Sequence, residues 1–250
     1  MKKEIFVTAG CSFTWGQGLY YYDWIKNTEL DQNEIKSFLN RYKIPVLHNN
    51  WENLRPKLTV GDWNSIRSLR YSDLISNKLD MDYITYSGNN NDNFQHIYDI
   101  LTTDKYILME DDKLLNRKLK FVVFQLTAAG RDSDTGGNYT VKHIKNTVDN
   151  MDELYNFLKE RDIKLLVWCM TEDLGYSLKD KPYFLKIKFD GIEYNSFNDL
   201  AKSDNHLAGI KGNPQFELSG DLKHYGVTDE HPSKRFHKLI SDTILNKLEN

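Results

Sequence analysis

Cysteine is nearly absent: Cys11 and Cys169 are the only two in 250 residues. Both sit on apolar, strand-like segments, which argues against a disulfide scaffold and for a reducing compartment. Long apolar runs are missing too. None reaches the roughly 18 residues of a membrane-spanning helix. The run from Ile5 to Ala9 behind Met1-Lys2-Lys3-Glu4 is too short for a signal-peptide core. A soluble cytoplasmic protein, with no signal peptide and no membrane span, is the expectation. Nor is there an excess of one charge. The net charge is -3, so no global basic field points to nucleic acid. Proline is scarce as well, at five. Two of these, Pro45 and Pro56, fall in one aperiodic stretch.

What is present is a rhythm of short apolar runs and amphipathic stretches. Residues 4–9 read as a buried strand running into the turn GCSFTWGQG. Further strands are expected at 82–86, 119–126 and 163–170. Helices are expected at 64–79, capped by Asn64 or Ser65, and from about 92 to 101, capped by Asn91 or Asp92. Two more are expected at 147–161 and 232–248, the last with Pro232 near its first turn. Asp190-Gly191 marks a hairpin turn within 184–195. Strands alternating with helices predict an α/β fold. Its form is a three-layer α/β/α sandwich around a mostly parallel sheet, flavodoxin-like in arrangement. The expected organisation is one domain over 1–250. Polar, aromatic insertions at 20–60 and 172–226 then flank the site. The 172–226 insertion is expected to form a lid or substrate wall, or else a small satellite core.

In such sheets chemistry gathers outside the carboxyl ends of the strands. The first strand ends in Gly10-Cys11-Ser12-Phe13-Thr14. A serine there either faces the crevice beside helix-start N–H groups or merely caps a helix. The second strand ends in Ser87-Gly88-Asn89, where a glycine lets backbone approach a substrate oxygen. The third ends in Gln125-Leu126-Thr127, followed by Arg131. Thr127 can complete an oxyanion hole, and Arg131 can steer an anionic substrate or form a loop ion pair. Before the last helix comes Thr228-Asp229-Glu230-His231-Pro232-Ser233. Histidine suits proton transfer near neutral pH, and a carboxylate two residues earlier can orient its ring.

Taken together, these segments resemble the SGNH (GDSL-like) hydrolase superfamily. Gly10 to Thr14 is similar to its nucleophile block and Gly88 to the glycine of its second block. Asp229 to Ser233, with His237 four residues on, is similar to its terminal block. The resemblance implies an ester hydrolase working through an acyl-enzyme, without metal or organic cofactor. It implies Ser12 as nucleophile, His231 as general base and Asp229 as the orienting acid, with Glu230 disfavoured because neighbouring side chains diverge. Gly88, Asn89, Thr127 and Arg131 fall to the oxyanion hole and substrate. The implied substrate is a small-molecule, lipid or carbohydrate ester, a carbohydrate O-acetyl group among them. Three positions depart from the pattern. Cys11 stands where many relatives have Asp. Gln125-Leu126-Thr127 occupies the place of the Gly-x-Asn-Asp block. The acid lies two residues before the histidine rather than three.

Rival readings fit some of the same residues. One is a catalytically inactive SGNH-like binding domain, suggested by the altered third block. Another is a nucleotide-binding α/β module. Against that, the first loop lacks both the Lys-Ser/Thr pair of a P-loop and full Gly-x-Gly-x-x-Gly spacing. A thiol mechanism at Cys11 requires a side chain expected to point away from the Ser12 side. A metal site from His206, His224, His231 and His237 lacks any recognised ligand spacing.

Overall fold

In the computed structural model the described residues are 3–11, 14, 68–87, 93, 117–129, 141–203, 209–210, 213–214 and 234–249. Four strands form one sheet: β1 (Lys3–Gly10), β2 (Asp82–Ser87), β3 (Arg117–Leu126) and β4 (Lys164–Cys169). The order is β2-β1-β3-β4 and every pairing is parallel. The described helices are α1 (Tyr71–Leu79), α2 (Val141–Lys159), α3 (Glu172–Leu178), α4 (Phe197–Ser203) and α5 (Lys234–Glu249). This is an α/β fold with a parallel central sheet flanked by helices, as the alternation predicts. Among the described residues no helix is long and apolar enough to cross a membrane.

Burial on both faces explains why the strands read as apolar runs rather than as alternating ones. Ile5, Val7 and Ala9 of β1 join Val122, Phe124, Leu165 and Val167 in the core beneath α2 and α3. From α2, Met151, Leu154 and Leu158 enter that core, each worth about 1.5–3 kcal/mol of burial. The opposite face carries Phe6 stacked between Tyr83 and Phe121. One irregularity sets the register. Ile5 pairs with Leu119 but Phe6 pairs with Phe121, leaving Lys120 as the extra residue. The bulge keeps Leu119 and Val122 on the same face although they are three apart.

Two strands are delivered by the same device. After α1, Asp80 takes φ +51° and the Met81 N–H bonds the Ser76 carbonyl. After α2, Asp162 takes φ +57° and the Ile163 N–H bonds the Leu158 carbonyl. Each is a Schellman ending with aspartate in the left-handed position, and each leads at once into a strand, β2 or β4.

Several boundaries differ from the sequence expectation. The first helix begins at Tyr71, where the Leu74 N–H meets the Arg70 carbonyl. Ser68 to Arg70 form a turn, and Asn64 and Ser65 lie outside the described residues. Helix α2 starts at Val141, six residues early, because Ile144 continues the buried stripe. Of the stretch 92–101 only Asn93 is described, and it is helical.

The 20–60 segment lies outside the described residues. Part of the 172–226 segment belongs to the main core, where Leu174, Leu178, Tyr183 and Phe184 are buried. Residues 183–185 run along the edge of β4 that faces away from β3, with Val167 N–H to Tyr183 O at 2.9 Å and Leu185 N–H to Val167 O at 2.7 Å. The expected hairpin forms from β5 (Ile187–Phe189) and β6 (Ile192–Tyr194). Its turn residues Asp190 and Gly191 have φ of +49° and +80°. A two-residue strand pair, β7 (Gly209–Ile210) and β8 (Asn213–Pro214), follows.

The chain divides into two compact units. One comprises Met1–Trp15, Ile75–Asp199 and Thr243–Asn250, and holds the sheet. The other comprises Gly16–Leu74 and Leu200–Asp242. Within the second unit His237 is buried. Its Nδ1 accepts the Tyr71 N–H at 3.2 Å, and the two rings stack at 5.9 Å.

Candidate active site

The strand order reverses direction between β1 and β3. From β1 the chain moves to β2 on one side, then crosses back to place β3 on the other. Such a switch point opens a crevice at the carboxyl ends of the two strands. Gly10 ends β1 there. A Cβ on Gly10 would collide with Thr14 Oγ1, and would lie 2.6 Å from Gln125 Oε1 and 2.8 Å from Gln125 Cβ. No larger residue fits, so the turn closes tightly onto β3.

The side chain that it closes onto is fully buried Gln125, one residue past Phe124, the partner of Ala9. Its Oε1 accepts the Cys11 N–H at 2.9 Å. The same oxygen lies 3.2 Å from Cys11 Sγ and 3.3 Å from Thr14 Oγ1. Gln125 Nε2 is buried with no hydrogen-bond partner among the described residues. The segment after β3 is held by a second carboxamide. Asn93 Oδ1 accepts the Thr127 N–H at 2.9 Å, and Asn93 Nδ2 donates to the Thr127 carbonyl at 3.3 Å. Both residues are buried, and the Thr127 hydroxyl has no partner among the described residues.

Among the predicted site residues, Thr127 is the one the structure describes. It stands at the carboxyl end of β3, as expected, with its backbone engaged by Asn93. Ser12, Gly88, Asn89, Arg131, Asp229 and His231 lie outside the described residues. Sequence reasoning missed Gln125 and Asn93 as organisers of this rim. The available signal was a carboxamide interrupting the otherwise apolar run of β3, and a fourth asparagine after Asn89 to Asn91.

The two thiols have structural surroundings. Cys11 is buried against Gln125. Burial, reinforced by the charge of Asp173, pushes the Cys169 thiol well above its ordinary value. The Cys169 environment does not favour a thiolate nucleophile. Among the described residues no group of three His, Cys, Asp or Glu is placed to hold a metal ion. A cavity of about 340 Å³ opens at the start of β4, lined by Tyr155, Lys159, Lys164 and Lys247 among others. It lies at the amino end of the strands, away from the switch point.

No family model matches the chain, and no curated protein matches it. Among solved structures the chain is similar to one described as a "putative lipolytic protein of G-D-S-L family" from Desulfitobacterium hafniense DCB-2. The TM-score is 0.41 at 10% identity, over 98% of this chain and 99% of that one.

Proposed function

We propose that the protein is a serine ester hydrolase of the SGNH type. The observation that carries this reading is the location of the Gly10-Cys11-Ser12-Phe13-Thr14 block. It begins at the carboxyl end of β1, beside β3, where a parallel sheet of this order places its crevice. The terminal block Asp229-Glu230-His231-Pro232-Ser233 immediately precedes α5, which suits an acid–base loop.

In this mechanism Ser12 attacks the ester carbonyl. His231 takes the hydroxyl proton and returns it to the leaving alcohol, while Asp229 fixes the ring tautomer and stabilises the imidazolium. Backbone N–H groups of Ser12 and Gly88 receive the oxyanion, with Asn89, Thr127 and Arg131 assigned to the oxyanion hole and the substrate. Water then releases the acyl group. The substrate class is an ester of a small molecule, lipid or carbohydrate.

The test is fluorophosphonate labelling alongside turnover of a short acyl p-nitrophenyl ester. Both are expected in the wild type and both are lost in Ser12→Ala. Labelling that survives Ser12→Ala removes Ser12 from the mechanism. One observation favours a second reading, a non-catalytic binding domain on the same fold. The Thr127 hydroxyl is enclosed and its backbone is already paired, so the third oxyanion donor is not presented at a surface. A wild type inert to both reagents would decide for that reading.

A further inference from the structure

We propose that Gln125 is a positioning residue that clamps the turn carrying Ser12; the inference rests on the serine-hydrolase reading above. Its Oε1 holds Cys11 through the backbone N–H, at 2.9 Å, and faces the Thr14 hydroxyl at 3.3 Å. Cys11 and Thr14 bracket residues 12 and 13 in the chain, so one oxygen restrains the segment on both sides. A carbonyl oxygen has two lone pairs. The backbone N–H takes one, and the rotatable Cys11 thiol and Thr14 hydroxyl compete for the other.

Gln125 interrupts an apolar stretch: positions 121–124 and 126 of β3 are all apolar and buried. An apolar residue at 125 would extend that packing but leave the buried Cys11 N–H without its acceptor, so the glutamine serves the turn rather than the sheet. The carboxamide is kept although its Nε2 finds no partner among the described residues. Gly10 shows the same design from the other side, because any Cβ there would strike Gln125 and Thr14. The clamp also occupies the Cys11 N–H, so the oxyanion donors of this turn begin at residue 12. Nucleophile placement is a sensitive quantity: an error of 1 Å costs about 10²-fold in rate.

The experiment compares wild type, Gln125→Met, which keeps length but loses the acceptor, and Gln125→Glu, which keeps an acceptor oxygen. Fluorophosphonate labelling rate, kcat and KM on p-nitrophenyl acetate, and hydrogen exchange of the 9–14 peptide are measured on each. Gln125→Met should lose about 10²-fold in labelling rate and kcat with little change in KM, and should exchange faster across 9–14. Gln125→Glu should recover most of both. Should Gln125→Met fail to melt cooperatively, Thr14→Val decides, with an expected loss of about fivefold for one neutral hydrogen bond. A labelled wild type with Gln125→Met or Thr14→Val labelled equally fast overturns the clamp alone. An unlabelled wild type overturns the hydrolase reading itself, and the clamp with it.

Discussion

Asn93 reads the backbone of Thr127 as a neighbouring strand would, accepting its N–H at 2.9 Å and donating to its carbonyl at 3.3 Å. The pair lies just past the end of β3, where the sheet ladder has stopped supplying partners. Asn93→Ala would leave a buried N–H unmet and should cost about 1–3 kcal/mol in urea denaturation. Asn93→Asp keeps the acceptor but sets an oxygen against the Thr127 carbonyl, so it should cost at least as much. A loss under about 0.5 kcal/mol for both, the range of neutral surface changes, would show that Thr127 does not depend on Asn93.

Much of this architecture was legible because burial on both faces writes itself as uninterrupted apolar sequence. Strands 119–126 and 163–170 are the clearest cases, and Asp190-Gly191 announced its hairpin through turn chemistry. Helix α3 escaped because Gly175 sits in its middle. Yet Leu174 and Leu178, one turn apart, are its buried stripe. Helix α4 carried an overlooked start signal in Ser196, whose Oγ accepts the Asp199 N–H at 3.0 Å. Which strand ends border the switch point was legible, since topology follows from alternation. The roles of Gln125 and Asn93 were not legible. They depend on contacts between residues 114 and 34 positions apart, which no local pattern encodes.

Tyr183 gives the protein an alkaline weakness. Its hydroxyl donates to Asp152 Oδ1 at 2.8 Å, while Lys181 pairs with the other carboxylate oxygen. Burial first, then that hydrogen bond and the nearby charge, raise the phenol well above its ordinary value. The unfolded chain ionises near pH 10 and then binds one proton fewer than the folded one. The stabilisation is therefore complete below about pH 10. Above it, stability is lost at roughly 1.4 kcal/mol per pH unit until the folded phenol itself ionises. Tyr183→Phe should flatten the alkaline limb of stability by that one-proton slope, at a cost near neutral pH of about 1 kcal/mol. Denaturant midpoints from pH 8 to 11 check it, and an unchanged slope would refute the assignment.

The Schellman endings carry avoidable strain. Asp162, at φ +57°, holds a conformation that costs an L-residue about 1–2 kcal/mol. Glycine removes that cost but adds backbone entropy to the unfolded chain, worth about 0.5–1 kcal/mol. Asp162→Gly should therefore raise stability by up to about 1 kcal/mol, and Asp80→Gly likewise. Thermal melts at fixed pH measure both. A loss in either variant would mean that the aspartate side chain contributes more than its backbone costs.

Gly175 and Gly191 should respond to alanine for different reasons, and the difference is testable. Propensity alone predicts that alanine in the middle of α3 gains about 1 kcal/mol. A Cβ at 175, however, would strike the Asn195 carbonyl oxygen and lie 2.8 Å from its carbon. Backbone cannot step aside cheaply, so Gly175→Ala should instead lose about 1–3 kcal/mol. Gly191 has open space around it but φ +80°. Gly191→Ala should lose about 1–2 kcal/mol through conformation alone. Asparagine separates the two causes, because it tolerates the left-handed region. Gly191→Asn should recover most of the loss, whereas Gly175→Asn should be worse than Gly175→Ala. Recovery at 175, or none at 191, would reverse the assignment of steric cause to one and conformational cause to the other.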